Sequence, residues 1–120
     1  MILLDTNIFI YLANGTLPAK ILPNEKLAYA SIVKIESLGY SKIMVGEQSY
    51  LNALFDECLQ VDLTENIIQT AITLRQQHDI TLGDAITAAT ALECECELWT
   101  ANTADFKNIT DLRLRNPLQK

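Results

Sequence analysis

Short apolar runs alternate along the chain with longer amphipathic stretches. The first run, Met-Ile-Leu-Leu at residues 1–4, leads directly into Asp-Thr-Asn at residues 5–7. A short run without polar interruptions is typical of a strand buried on both faces, as in a parallel sheet covered by helices. We therefore predict a buried strand over residues 1–4, with Asp5 at its carboxyl end.

Four further segments have the length and composition of strands. Residues 59–63 alternate between apolar and polar side chains, which predicts a strand with one face in water. Pro117 and the charged residues before it suit an edge of the sheet, because proline cannot donate to a strand ladder. The four segments are residues 27–30, 59–63, 97–101 and 112–117.

Longer stretches with a helical repeat of apolar positions separate the strands. In the clearest of them, Ile67, Ala71 and Leu74 recur at the spacing of one helix face. Strands and helices that alternate along one chain predict an α/β three-layer sandwich, with a mostly parallel central sheet of four to five strands and helices on both faces. The predicted helices are residues 8–12, 32–40, 46–58, 64–77 and a helix from residue 84 onward.

Composition restricts the possible functions. The 120 residues are 49% hydrophobic, enough for one domain spanning residues 1–120, and their formal net charge is −6. Proteins that hold nucleic acid by general electrostatics are basic, because neutralised phosphates supply that affinity. The sequence therefore excludes a bulk nucleic-acid binder. On a polyanion, cations would have to bridge the contact, or a partner would have to supply positive charge.

Cysteine content and hydropathy indicate the compartment. Three cysteines without a disulfide pattern suit a reducing environment, and no apolar run approaches the roughly 18 to 20 residues of a membrane span. We therefore expect a cytoplasmic protein with no membrane contact. Cys94 and Cys96 could form a thiolate pair, but there is no second pair and the one histidine, His78, has no companion. A zinc site is not expected from this pattern.

Asp5 and Asp84 both stand where a ligand site would form, and both also have a structural explanation. Asp5 could cap the following helix, yet it ends a strand, where open α/β sheets bind their ligands. Asp84 could simply suit the positive end of the dipole of the helix that it begins. That helix is rich in alanine and threonine, so it should pack closely and hold a metal ligand firmly in its first turn.

Glu36 falls on a helix stripe that we expect to face the protein. Ile32, Ile35 and Gly39 share this stripe at helical spacing. Burial of a carboxylate without a partner costs several kcal/mol, so an inward glutamate usually has a partner or a purpose. The alternative is a shallow face, on which the side chain reaches water beside a neighbouring lysine.

Asp105 follows the end of a later strand, so these four acids could meet at the carboxyl edge of one sheet. Two carboxylates about 5 Å apart repel by roughly 3 kcal/mol at an effective dielectric near 20. Three or more such pairs would cost on the order of 10 kcal/mol, which rivals the stability of a whole domain, about 5 to 15 kcal/mol. Either the acids do not converge, or divalent cations and shifted protonation relieve the repulsion. Oxygen-only ligands select magnesium or manganese. Convergence therefore predicts a metal site suited to phosphodiester hydrolysis.

Four motifs in this order resemble a known family. They are Leu4-Asp5-Thr6-Asn7, Glu36 within Ser-Ile-Val-Lys-Ile-Glu-Ser-Leu-Gly, Asp84 within Leu-Gly-Asp-Ala-Ile-Thr-Ala-Ala-Thr-Ala, and Thr100-Ala-Asn102-Thr-Ala-Asp105-Phe106. Together they are similar to the PIN-domain ribonucleases of the VapC toxin type, over nearly the whole chain. The resemblance implies a PIN-like fold and a magnesium-dependent endoribonuclease, with manganese as a substitute, that serves as the toxin of a toxin–antitoxin module.

The same resemblance implies roles for individual residues. Asp5 and Asp84 would bind the metal directly, and Glu36 would assist through the metal or its waters. The fourth position departs from the family, because Asn102 stands where an acid is frequent and Asp105 would replace it three residues later. The implied catalytic set is Asp5, Glu36, Asp84 and Asp105, with Thr6, Asn7, Thr100 and Asn102 in support.

The resemblance also implies partners. These are an RNA substrate, with tRNA one candidate, and a cognate antitoxin whose C-terminal segment enters the groove beside the acids. A second copy of the chain would complete a homodimer. The residues alone do not identify the RNA, because the few basic side chains are scattered along the sequence.

Two other classes stay open on the sequence alone. A receiver-like signalling domain has a similar length, layout and acidic pocket, but it needs an acidic pair after the first strand, where Thr6 and Asn7 follow Asp5. It also needs a lysine after a late strand, where this chain has Thr100-Ala101-Asn102. The other class is a PIN fold that serves only as an antitoxin-binding or scaffold module, which the missing acid at Asn102 keeps open.

Overall fold

The computed structural model describes residues 1–119, in which a single sheet runs through the centre of the molecule. Its strand order is β3-β2-β1-β4-β5, and all four neighbouring pairs are parallel. Every predicted strand is present, and the described sheet is parallel throughout rather than mostly so. The strands are β1 (Ile2–Leu4), β2 (Leu27–Ala30), β3 (Leu59–Val61), β4 (Glu97–Trp99) and β5 (Leu114–Arg115).

Strand β1 lies at the centre of the sheet, which explains its unbroken apolar run. Leu3 and Leu4 are fully buried, and Leu3 stands opposite Ala28 on one side and Leu98 on the other. Because β1 has a strand on each side and helices over both faces, neither of its faces contacts solvent. Strand β5 forms one edge, as the sequence predicted from the proline that follows it.

Helices cover both faces of the sheet and confirm the three-layer α/β sandwich. One core lies beneath α1, α2 and α3, and a second core lies beneath α4 and α5. No helix formed by residues 1–119 combines the length and the apolar character required to cross a membrane. The helices are α1 (Thr6–Ala13), α2 (Ser31–Leu38), α3 (Val45–Glu57), α4 (Glu65–Gln77) and α5 (Leu82–Cys94), with short 3-10 turns at Ala19–Ile21 and Thr103–Asp105.

Helix α5 begins two residues earlier than the sequence predicted. Thr81 caps it, because its hydroxyl accepts a hydrogen bond from the Asp84 backbone N–H at 3.2 Å. Asp84 therefore lies within the first turn rather than at the start. The alanines of the following turns are buried, so that α5 packs closely against α4 and the sheet, and its first turn is held in place.

The predicted orientation of α2 is wrong. Its buried residues are Val33 and Ser37, whereas Ile35 is 71% exposed and Glu36 is also exposed. Apolar residues occur on more than one side of this eight-residue helix, and packing against α1 and α5 decides which side is buried. Glu36 is consequently not an inward carboxylate in the core.

Candidate active site

The four predicted acids line one open pocket of about 380 Å³ at the carboxyl ends of β1 and β4. Each comes from a different segment: Asp5 follows β1, Glu36 lies on α2, Asp84 lies in the first turn of α5, and Asp105 ends the 3-10 turn after β4. Parallel strands end at the same edge of a sheet, which explains how residues so distant in sequence meet. The full lining is Asp5, Thr6, Asn7, Ile10, Tyr11, Glu36, Asp84, Asn102 and Asp105.

Asp5 is both a helix cap and a pocket residue, so the two interpretations of the sequence are compatible. Its Oδ1 accepts a hydrogen bond from the Thr6 backbone N–H at 2.8 Å, which caps α1. Its Oδ2 accepts a hydrogen bond from Thr100 Oγ1 at 2.9 Å. The side chain is 5% exposed, and both of its oxygens are held in fixed directions.

Thr100 is fully buried and uses all the hydrogen-bonding capacity of its hydroxyl. Oγ1 donates to Asp5 and accepts from Asn7 Nδ2 at 3.2 Å and from the Asn102 backbone N–H at 3.1 Å. Asn7 Oδ1 in turn accepts from the Ala101 backbone N–H at 2.9 Å. This network joins the ends of β1 and β4 and fixes the orientation of the Asp5 carboxylate. The supporting placement predicted for Asn7 and Thr100 agrees with these contacts.

Electrostatics oppose full ionisation of the pocket. Burial raises the pKa of Asp5 from 3.8 to about 6, the negative charges of Asp84 and Glu36 add to this, and the hydrogen bonds from Thr100 and Thr6 oppose it. Burial also raises the pKa of Asp84, with the charges of Asp105 and Glu36 in the same direction and the Thr81 hydroxyl against it. A bound cation would reverse both effects, because it favours the ionised carboxylates.

Glu36 reaches the pocket from its rim. Its side chain is exposed, and Thr6 Oγ1 donates a hydrogen bond to Glu36 Oε1 at 2.7 Å. The carboxylate therefore has a polar partner and access to water, instead of a place in the core. The predicted membership of Glu36 in the acidic group agrees with this position, although the buried helix face from which we inferred it is wrong.

Asn102 and Asp105 both line the pocket, and both side chains are exposed. The Asn102 backbone N–H supports Thr100, and its carbonyl accepts a hydrogen bond from the Asp105 backbone N–H at 3.0 Å. The short 3-10 turn between them brings the Asp105 carboxylate to the same pocket as the Asn102 amide. The departure from the family pattern therefore does not remove an acid from the pocket.

Ile10 and Tyr11 also line the pocket, and the sequence interpretation missed them. They lie one turn beyond Thr6 and Asn7 on α1, and residues three to four apart share a helix face. That spacing could have identified them. They add an aliphatic side chain and an aromatic ring to the lining of the pocket.

The donor groups of the pocket fit a hard divalent cation. The side-chain donors are carboxylate, hydroxyl and amide oxygens, and no lysine, arginine or histidine of residues 1–119 lines the pocket. Within the same described residues, no three histidine, cysteine, aspartate or glutamate side chains form a group that could hold a metal ion. A magnesium ion in this pocket would therefore take only one or two protein carboxylates and keep several waters, which is usual for that ion.

The thiolate pair considered for zinc lies elsewhere. Cys94 ends α5 and Cys96 precedes β4, at the opposite end of the sheet from the acids. Burial raises the pKa of both thiols, which disfavours the thiolate form that binds metal.

Solved structures of toxin–antitoxin proteins match nearly the full chain. A chain of VapBC2 from Rickettsia felis, bound to a DNA fragment from their promoter, is 27% identical with a TM-score of 0.82, over 97% of this chain and 98% of that one. A chain of a toxin–antitoxin complex from Klebsiella pneumoniae is 27% identical with a TM-score of 0.81, over 98% of both. A chain of VapBC-1 from nontypeable Haemophilus influenzae is 28% identical with a TM-score of 0.77, over 99% and 100%. No protein-family model and no curated protein sequence matches significantly.

The fold is PIN-like: a parallel sheet of order 3-2-1-4-5 lies between helices, with acids at its carboxyl edge. In sequence and fold it is similar, over nearly its full length, to chains of the VapBC type at 27–28% identity. This confirms the resemblance of the four sequence motifs. The strand order also excludes a receiver-like domain, whose sheet has the order 2-1-3-4-5.

Proposed function

We propose that this chain is the toxin of a toxin–antitoxin pair and that it acts as a magnesium- or manganese-dependent endoribonuclease. The main support for the proposal is that Asp5, Glu36, Asp84 and Asp105 all line one open pocket. The three matched structures, each described as a toxin–antitoxin or VapBC complex, support the biological role.

Asp5 and Asp84 are the residues that would hold the ion. Both come from rigid positions, the end of the central strand and the capped first turn of α5, and the hydrogen bonds of Thr6 and Thr100 fix the two Asp5 oxygens. A bound magnesium or manganese ion would supply a water of lowered pKa and stabilise the charge that develops on the phosphate oxygens. Glu36 and Asp105, which are exposed at the rim, can accept hydrogen bonds from waters or from RNA hydroxyls.

The charge distribution agrees with a metal-bridged RNA contact. Four carboxylates and no lysine, arginine or histidine among residues 1–119 line the pocket, so an unaided phosphate would be repelled. The ion would convert an acidic pocket into a phosphate site. RNA affinity beyond that contact would have to come from the scattered basic residues or from a second copy of the chain in a homodimer. We expect this activity in the cytoplasm, and tRNA is one candidate substrate.

An apolar cleft beside the pocket supports an antitoxin partner. The cleft has a volume of about 460 Å³, and Ile10 lines both it and the acidic pocket. Tyr40 and Met44 at its edge are 52% and 69% exposed, and contiguous exposed apolar side chains often mark protein interaction sites. An antitoxin segment in this cleft would end next to the acids and block access to them.

The test is incubation of the purified protein with total cellular RNA, with and without manganese, followed by mapping of new 5′ ends. We expect new ends at discrete positions with manganese, none with a chelator, and none with Asp5→Asn. Asp56→Asn, an exposed aspartate on α3, is the charge-matched control and should cut like the original protein. Equal cutting by Asp5→Asn would contradict the nuclease assignment. A complete lack of cutting would favour the antitoxin-binding scaffold.

A further inference from the structure

Gly83, the residue before Asp84, lies directly against the Glu36 carboxylate. A Cβ atom at position 83 would stand 2.5 Å from Glu36 Oε2 and 3.2 Å from its Cδ. Real Cβ contacts do not come that close, so the Glu36 carboxylate occupies the space that any other residue at position 83 would fill. On its other side, Oε1 accepts the hydrogen bond from Thr6 Oγ1 at 2.7 Å.

The backbone of Gly83 gives no separate reason for a glycine. The residue lies inside α5, and the positive-φ glycine of residues 1–119 is Gly15. A glycine within a helix destabilises it relative to alanine, because it loses more backbone freedom on folding. The close approach of Glu36 is therefore the feature of this structure that accounts for the missing side chain.

We propose that Gly83 and Thr6 are positioning residues for Glu36 in the metal site; this inference rests on the nuclease function proposed above. Glu36 is exposed and has three freely rotating torsions, so without a holder its carboxylate would sample many places. Thr6 holds one oxygen, and the bare backbone at Gly83 admits the other beside the first turn of α5. The carboxylate is thereby kept near Asp5, which precedes Thr6 in the sequence, and near Asp84, which follows Gly83.

The substitution Gly83→Ala separates positioning from stability. The new methyl group meets the mobile end of a side chain, which can swing away, and alanine favours the helix. We expect an unfolding free energy equal to or higher than that of the original protein. We expect manganese affinity, measured by calorimetry without RNA, and kcat of cleavage to fall about tenfold or more, with a nearly unchanged KM for RNA.

Matched variants test the assignment. Gly46→Ala makes the same change in the first turn of α3, where a Cβ meets nothing within 4 Å, and should leave both quantities unchanged. Thr6→Val should lower manganese affinity and kcat as Gly83→Ala does. Thr6→Ser, which keeps the hydroxyl, should leave both close to their original values. In a Glu36→Gln background, Gly83→Ala should cause little further loss of manganese affinity, because the group that it displaces is already altered.

Carbon NMR of the Glu36 side-chain carboxyl in the metal-free protein reports the position of that carboxylate. This measurement does not depend on catalytic activity. The carboxyl resonance should shift in Gly83→Ala and in Thr6→Val, but not in Gly46→Ala or in Thr6→Ser. An unmoved resonance with unchanged manganese affinity in Gly83→Ala would overturn the positioning role. If the resonance moves as expected while the original protein neither binds manganese nor cuts RNA, the positioning role stands and the proposed function falls.

Discussion

Thr100 Oγ1 donates a hydrogen bond to Asp5 Oδ2 at 2.9 Å across a sequence separation of 95 residues. Thr100 is fully buried and Asp5 is 5% exposed, so water does not compete strongly for this bond. The bond ties the ends of two adjacent strands and opposes the rise of the Asp5 pKa that burial causes. It therefore links the stability of the sheet to the ionisation of a predicted metal ligand.

The first prediction concerns this bond. Thr100→Val keeps the shape of the side chain but leaves the Asn102 backbone N–H without its partner, and it leaves Asn7 Nδ2 and Asp5 Oδ2 only their mutual hydrogen bond at 3.4 Å. We expect a loss of unfolding free energy of about 1–3 kcal/mol, the usual cost of unsatisfied buried polar groups. Urea denaturation at pH 8 with a chelator measures it.

Thr90→Val provides the comparison for this prediction. Thr90 is equally buried, but its hydroxyl donates to the Ile86 carbonyl of its own helix, and its loss leaves no other side chain unpaired. We expect a smaller change there. Similar losses for the two variants would mean that the Thr100 network contributes nothing beyond an ordinary buried hydroxyl.

The second prediction concerns pH. The folded pKa of Asp5, about 6, lies above its ordinary value of 3.8. The folded state therefore favours the protonated form, and its stabilising contribution is complete below pH 3.8 and is lost as pH rises through about 6. The difference between these pKa values corresponds to roughly 3 kcal/mol. In chelator, Asp5→Asn should therefore gain stability relative to the original protein between pH 4 and pH 7.

Parallel urea titrations of the two proteins across that pH range measure the second prediction. Other acids titrate in both proteins, so the difference between the two curves isolates Asp5. Burial raises the pKa of Asp84 as well, and Asp84→Asn should show a change in the same direction. A difference between Asp5→Asn and the original protein that stays constant with pH would contradict the raised pKa.

The third prediction concerns metal binding in the absence of RNA. Manganese or magnesium should raise the melting temperature of the original protein at pH 8 by several degrees, because saturation at about 100 times the Kd adds about 2.7 kcal/mol of stability. The effect should weaken toward pH 5, where protons compete for Asp5. Asp5→Asn and Asp84→Asn should abolish it, and Asp56→Asn should retain it. Sodium chloride at the same ionic strength serves as the control for general ionic screening, and equal shifts with manganese in all four proteins would indicate screening alone.

Local sequence patterns were sufficient to predict the sheet and to place three of the four acids, Asp5, Asp84 and Asp105, at one pocket. The apolar run before Asp5 identified the central strand, and the strand ends near Asp5 and Asp105 implied a shared edge. The helix start near Asp84 was off by two residues, which did not change the pocket that it lines. Each of these features depends on neighbours in sequence and on the rule that parallel strands end together.

Tertiary contacts determined what the sequence did not predict. Which side of α2 is buried depended on its packing against α1 and α5, so Ile35 was placed inward although it is 71% exposed. The hydrogen bonds of Asn7 to Thr100 and Ala101 run from the first turn of α1 to the segment after β4, so no local sequence pattern predicts them. The role of Gly83 is visible only when the Glu36 carboxylate is placed beside it.

The last prediction concerns the fourth acidic position. Asn102 and Asp105 line the same pocket, both are exposed, and a 3-10 turn connects them. If Asp105 supplies the carboxylate that the family usually has at position 102, Asp105→Asn should lower manganese affinity and kcat by about tenfold. Asn102→Asp should restore most of that loss in the double variant, because the backbone N–H that supports Thr100 does not depend on the side chain. Calorimetry and cleavage rates for the four combinations measure the coupling between the two positions. Additive effects, with no rescue by Asn102→Asp, would show that the two positions do not substitute for each other and that Asp105 acts in another way.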